Sequence, residues 1–348
     1  MSAGENPSVA LTRLVNGFQV SHAIHAAVVL GIADLLAAGA CGVAELAVAT
    51  GTDAGAIYRL LRALAAANVF RELPDRHFAL APMGECLRSD APDPVAPWAM
   101  LAGQPYVHRA WEGLLHSLRT GETAFHHVHG MDVWDYRARH PEQGAVFDRA
   151  MSGISRRVAE AVVETCDFGR FRRVVDVGGG EGVLLARILA AHPAMGGVLF
   201  DLPHVVVRAV PVLDGAGVGK RCEVVGGDFF QGVPEGGDAY VLKGVLHDWD
   251  DAAAAAILRA CHRAIAPGGA VMVVERLVAS PNEGADAKFS DLNMLVVPGG
   301  RERTQDEFEA LLGAAGFRLS QVVATGTRMS VLQAAPIGHE VPSFGREG

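Results

Sequence analysis

The chain is short of charge, of aromatic rings and of paired cysteines, and each shortage excludes something. Charged residues make up 20% and aromatics 6% of the 348 residues, while half are apolar. With mean hydropathy at +0.23, such a composition fills a core easily and argues against disorder over most of the length. Thirty basic residues face 39 acidic ones, a formal net charge of −9, with no Lys/Arg cluster. Nucleic acid is therefore not an expected partner. The five cysteines, Cys41, Cys86, Cys166, Cys222 and Cys261, never form a C-x-x-C pair. That speaks against a disulfide framework or a thiolate zinc site and suits the cytoplasm. Apolar runs of about 18 residues, long enough for a membrane span, are missing. Met1–Pro7 has Glu5 and no basic flank before an apolar run, so no signal peptide is expected. Internal repeats and low-complexity tracts are missing too.

What is present points to two domains. Residues 1–97 read as mainly helical, with helices over Val20–Leu36, Val43–Thr50 (stopped by Gly51) and Ala54–Ala67. Two short strands, Val69–Leu73 and His77–Leu80, flank a turn at Pro74-Asp75. Three helices and a hairpin make the pattern of a winged helix. The Pro- and Asp-rich stretch Arg88–Pro97 marks the boundary. A helical lead-in over 98–170 follows, broken by a polar, His-rich loop at Gly121–Gly130. His126, His127 and His129 have no acidic or Cys partner at ligand spacing there, so no metal site is expected. From Arg173 strands alternate with helices: strands at Val174–Val177, Val198–Asp201, Cys222–Val225, Ala239–Leu242 and Ala270–Leu277, helices at Val183–Ala191, Ala252–Ile265 and Thr304–Ala315. This rhythm predicts a doubly wound, mostly parallel α/β sheet over 171–335 within a second domain, 98–348, with its ligand at the carboxyl ends of the strands.

Three of those strand ends carry matched features. The first is followed by Gly178-Gly179-Gly180-Glu181-Gly182, where glycines permit a tight turn and close approach of a ligand to the main chain. Val183 stands where a dinucleotide fingerprint needs its third glycine, so the run reads G-x-G-x-G instead. Asp201 closes the second strand, where an acidic group accepts ribose hydroxyls in methyltransferases and NAD enzymes alike. Asp228 and Phe229 after the third offer an acceptor and a ring suited to adenine. After the fourth comes Lys243-Gly-Val-Leu-His247-Asp-Trp-Asp-Asp251. Neutral imidazole is available near neutral pH, which makes His247 a candidate base; the bland alternative is a histidine packed at a helix entry. Glu275, at the end of the fifth strand, and Glu302, in Gly299–Thr304, are candidate carboxylates to orient it.

Val174–Gly182, Asp201–His204, Gly227–Phe230, Leu242–Asp251 and Gly299–Glu307 occur here in the order found in the small-molecule O-methyltransferases. The chain resembles that family over nearly its whole length. The family includes plant caffeic acid and isoflavone enzymes and bacterial enzymes that tailor aromatic antibiotics. The resemblance implies a Rossmann-like class I methyltransferase domain, S-adenosyl-L-methionine as cofactor, and an N-terminal winged-helix domain that builds a homodimer. It places Gly178, Gly180, Gly182, Asp201, Leu202, Asp228, Phe229, Lys243 and Ser155 at the cofactor. His247 would be the base, supported by Glu275 and Glu302, with Phe147, Met151, Asp248, Met294 and Trp98 toward a small aromatic acceptor. Val297 departs from the plant pattern, which has a polar residue before the Pro-Gly-Gly. An aromatic polyketide or similar secondary metabolite is therefore the better expectation than a phenylpropanoid. Methyl transfer to a ring nitrogen is the alternative, and a winged-helix regulator sensing the cofactor a remote one.

Overall fold

The computed structural model describes residues 6–338. They form two compact units: one holds the residues up to His108 together with Glu142–Ile154, the other Arg109–Pro141 and the residues from Ser155 on. In the first unit, β1 (Cys41–Gly42), β2 (Phe70–Leu73) and β3 (His77–Leu80) pair antiparallel in the order β1-β3-β2. The hairpin turns at Asp75 and Arg76, both at positive φ. The helix Val43–Thr50 ends at Gly51 in the left-handed region, which a residue without Cβ enters freely. Asp53 starts the helix Ala54–Ala66 by accepting the Ala56 N–H at 2.8 Å. Leu46, Ile57, Leu61, Leu64, Phe70 and Phe78 pack between helices and hairpin, giving the winged-helix arrangement.

Three expectations need correction. The helix foreseen over Val20–Leu36 is two, Gly17–Val29 and Ile32–Leu35, parted at Gly31 with φ 65°. A separate helix, Pro7–Val15, precedes them. Trp98–His108, read as the opening of the second domain, belongs to the first unit. There the helix Ala96–Ala102 approaches Gly17–Val29 so closely that a Cβ on Gly103 would stand 2.0 Å from the His25 ring. The supposed His-rich loop contains a helix, Ala124–His129, capped by Thr123, with His127 stacked on His116 at 3.8 Å.

The second unit is built on β4 (Arg173–Val177), β5 (Gly196–Asp201), β6 (Cys222–Gly226), β7 (Ala239–Lys243), β8 (Ala270–Glu275), β9 (Phe317–Ala324) and β10 (Ser330–Pro336). Their order is β6-β5-β4-β7-β8-β10-β9; β4 to β8 run parallel, and β10 is antiparallel to both neighbours. Both faces are covered, which is why these strands read as unbroken apolar runs. Val174, Leu199, Val241 and Met272 face the helix Val183–Ala191. Val175, Val177, Tyr240 and Leu242 face the helix Asp251–Ala264 and Phe308. The closing pair β9–β10 is not legible in the sequence. No two-residue hairpin signal joins them; their loop is held by Thr325 Oγ1 donating to the Met329 carbonyl at 2.6 Å. Strand order reverses between β4 and β7, so a crevice opens at their carboxyl ends. None of the described helices is long and apolar enough to cross a membrane.

Candidate active site

The loop after β4 alternates ordinary and left-handed residues: Gly178, Gly180 and Gly182 have φ of 69°, 60° and 79°. Such alternation turns successive N–H groups toward one concave side. A Cβ on Gly178 would stand 2.7 Å from Val245, whereas beside Gly180 the space is open. Asp201 ends β5 and ties to this loop: its carboxylate accepts the Gly180 N–H at 2.8 Å and the Leu202 N–H at 2.7 Å. Burial pushes the Asp201 carboxyl up, opposed by those two bonds. Under the loop, Asp176 is buried with one oxygen lacking a hydrogen-bond partner. Burial lifts its carboxyl to about 7 against the pull of Lys243, the last residue of β7. Asp228 lies two residues beyond β6 and accepts the Phe230 N–H at 2.9 Å. Phe229 and Phe230 meet Trp249 edge-on, at 5.8 and 4.8 Å between ring centres. Gly178, Gly180, Gly182, Asp201, Leu202, Asp228, Phe229 and Lys243 therefore all sit at or just past strand ends β4 to β7. Open space beside Gly180, a carboxylate tied to the loop and a cluster of aromatic rings fit a nucleoside cofactor.

His247 sits in a single 3₁₀ turn, Leu246–Asp248, after β7. Glu275, the last residue of β8 and fully buried, receives the Val245, Leu246 and His247 N–H groups on one oxygen, at 3.0, 2.9 and 3.3 Å. Its other oxygen is 3.6 Å from His247 Nδ1. Glu302 is the ring's direct partner, with Oε1 at 3.0 Å from Nδ1. The two carboxylates thus divide the work: Glu275 holds the turn, Glu302 the imidazole. Polar atoms of His247, Glu275 and Glu302 lie within 4.8 Å of one another, a grouping with the make-up of a metal site. One oxygen of each carboxylate is engaged in hydrogen bonds, Glu302 Oε1 with Nδ1 and Glu275 Oε1 with three N–H groups.

Around it, the segment 300–303 clamps the same turn. The Arg301 N–H donates to the His247 carbonyl at 2.9 Å. A Cβ on Gly300 would stand 2.1 Å from that oxygen, so only glycine permits the approach. Fully buried Arg303 donates to the Leu246 and Trp249 carbonyls, both at 2.9 Å, and to Asp251. Within the 299–307 motif, Gly300 and Arg303 thus hold the turn that carries His247. Asp250 caps the next helix through the Ala253 N–H at 2.8 Å. Asp248 Oδ1 instead stands 3.7 Å from His247 Nε2. Burial tends to neutralise this imidazole, but Glu275, Asp248 and Glu302 outweigh it and hold its pKa at about 10. Burial also works against charge on Glu302; the bond with His247, then that with Ser290, keeps its carboxyl below the usual range.

Met294 is buried in the helix Ala285–Val296, and Ser155 in the helix Pro141–Thr165, both within the second unit. Trp98, Phe147 and Met151 belong to the first unit. A groove of about 670 Å³ along Lys288, Phe289, Leu292 and Leu295 takes in neither His247 nor Asp201.

Comparison with known proteins identifies the family. Residues 111–318 match the O-methyltransferase domain, and residues 12–90 the O-methyltransferase dimerisation domain. The phenazine O-methyltransferase PhzM of Lysobacter antibioticus is 43% identical over 336 residues, 96% of this chain and 98% of that protein. The 8-amino-8-demethylriboflavin N,N-dimethyltransferase of Streptomyces davaonensis is 39% identical, over 90% of this chain and 91% of its own. A crystal structure of the neocarzinostatin-biosynthesis O-methyltransferase NcsB1, with S-adenosylmethionine and 2-hydroxy-5-methyl naphthoic acid, superposes with TM-score 0.77 at 33% identity, covering 91% of this chain and 96% of that one. The chain belongs to the O-methyltransferase family, and it is an S-adenosylmethionine-dependent methyltransferase with the family's dimerisation domain at its N-terminal side.

Proposed function

We propose that the protein methylates a hydroxyl of a small aromatic secondary metabolite, with His247 as general base. The carrying observation is the 3.0 Å contact between His247 Nδ1 and buried Glu302, which fixes the ring and leaves Nε2 as the nitrogen able to take a proton. S-adenosylmethionine supplies a methyl group on a sulfonium, an electrophile that needs no further activation. What remains for the chain is to bind, orient and deprotonate. Asp201 takes the ribose hydroxyls, the Gly178–Gly182 loop admits the cofactor to the main chain, and Asp228 with Phe229 and Leu202 receives the adenine end. Lys243 and Ser155 complete that side, and Asp248 and Met294 face the acceptor. A phenol of pKa about 10 is matched by an imidazolium of similar strength, so passing the proton to Nε2 costs little.

The aromatic acceptor rests on the relatives, among them the phenazine O-methyltransferase. A second reading has a specific basis in the N,N-dimethyltransferase at 39% identity: transfer to nitrogen, which asks less of a base. Five free thiols suit a cytoplasmic protein. We also read the chain as a homodimer, because Val9, Leu11, Leu14, Val15 and Phe18 leave 52–78% of their surface exposed on the first two helices.

A mass-spectrometric screen with deuteromethyl-labelled cofactor against phenols, hydroxyphenazines, naphthoates and aminated heterocycles tests the acceptor. Label on oxygen supports the first reading, and label on nitrogen replaces it with the second. His247→Ala is expected to lower kcat by about 10²–10⁴-fold with cofactor affinity unchanged. Because His247 is held at about 10, its neutral form grows as pH rises. In the wild type kcat/KM should therefore climb roughly tenfold per unit from pH 7 and level off near 10. Wild-type turnover in His247→Ala, or the same climb in its residual rate, would remove it as the base. Asp201→Ala should weaken cofactor binding by tenfold or more in calorimetry, on the order of one charge-assisted hydrogen bond, with the fold intact. Sedimentation at micromolar concentration should show dimers; monomers there would refute the self-association.

A further inference from the structure

Two polar side chains behind the His247–Glu302 pair have no role in the reading above. Ser290 Oγ donates to Glu302 Oε1 at 2.6 Å, the same oxygen that faces His247 Nδ1. Arg276 Nη1 donates to Ser290 Oγ at 2.6 Å and stands 3.6 Å from Glu302 Oε1. A hydroxyl has one hydrogen to give, and Ser290 spends it on the carboxylate while receiving one from the guanidinium. The three residues come from different elements: Arg276 directly follows β8, Ser290 lies in the helix Ala285–Val296, and Glu302 precedes the helix Gln305–Ala314. Side-chain exposure falls from 20% at Arg276 to none at Glu302, so water screens this row of charge little.

We propose that Ser290 and Arg276 are positioning residues that set, through Glu302, how tightly His247 holds its proton. The inference rests on the reading of His247 as base. Three carboxylates, from Glu302, Glu275 and Asp248, surround this imidazole and all favour its charged form. The firmer that hold, the higher the pH at which the neutral ring becomes available, so groups that act on the carboxylates set the working range. Lys243 and Arg137 act on Asp248, and Lys243 also on Glu275. Asp291 takes the Glu302 N–H at 2.9 Å and adds negative charge beside it. Only Ser290 and Arg276 bear on the oxygen that His247 itself contacts, among the described residues. An oxygen that already accepts a hydroxyl and lies beside a guanidinium has less charge to offer an imidazolium. Loss of either donor therefore leaves the proton more firmly on His247.

The test follows the His247 imidazole by NMR in the cofactor-free protein across pH, its signal identified by its absence from His247→Asn. Ser290→Ala should raise the midpoint by about 0.5–1 pH unit, and Arg276→Met should move it the same way. Ser290→Thr, which keeps the hydroxyl, should restore the wild-type midpoint. Ser290→Ala should also melt near the wild-type temperature, so it carries the test even if Arg276→Met does not fold. An unmoved or lowered midpoint in folded Ser290→Ala overturns the proposal. A raised midpoint with an unmoved pH profile of kcat/KM keeps the relay and removes His247 as the base. A midpoint and a profile that rise together support both.

Discussion

At the end of β8 a carboxylate shut off from solvent collects three consecutive backbone N–H groups on one oxygen. Those donors belong to Val245, Leu246 and His247, whose short turn has too few residues to satisfy them within itself. A buried ion is tolerated only when such donors replace water, and buried donors only when such an acceptor replaces it. Glu275 and the turn therefore specify each other. Once that bond set is made, the His247 ring has a fixed origin, and Glu302 and Asp248 find it at 3.0 and 3.7 Å. Clamping by the Arg301 N–H and the Arg303 guanidinium completes a frame in which the backbone on both sides of His247 is held.

The cofactor side is organised by the same economy. Asp201 grips the glycine loop through the Gly180 N–H, so the carboxylate proposed to take the ribose is also the one that shapes the loop. Burial lifts the carboxyl of Asp176, below the loop, to about 7 against the pull of Lys243. Charge in this crevice is thus shared across the ends of β4, β5 and β7 rather than lodged in one residue, and those strands are adjacent in the sheet.

Much of this was legible in the sequence, for reasons that particular residues make plain. Strands buried on both faces read as apolar runs, and the glycines at 178, 180 and 182 make the tight turn expected of them, in left-handed backbone. Val43–Thr50 and Val183–Ala191 fell where periodicity put them. What escaped was set by tertiary contact. Gly31 breaks a pattern that periodicity alone continues. The β9–β10 pair lacks a short-turn signal and is joined by a threonine-stapled loop. Ser290 and Arg276 could not be paired with Glu302 from sequence, because 12 and 26 residues of chain separate them from it. Nor could the division of labour between Glu275 and Glu302 be read, since both are simply carboxylates until the backbone around His247 is seen.

The helix Ala285–Val296 has a double allegiance. Met294, one turn beyond Ser290 on that helix, is buried in the unit that holds His247, while Ser290 touches the carboxylate behind His247. Trp111 also anchors the helix, its indole N–H donating to Asn293 at 3.1 Å. With the roles proposed above for Met294 and Ser290, one short helix would carry both the fit of the acceptor and the proton affinity of His247, so a substitution that moves this helix would act on the two together.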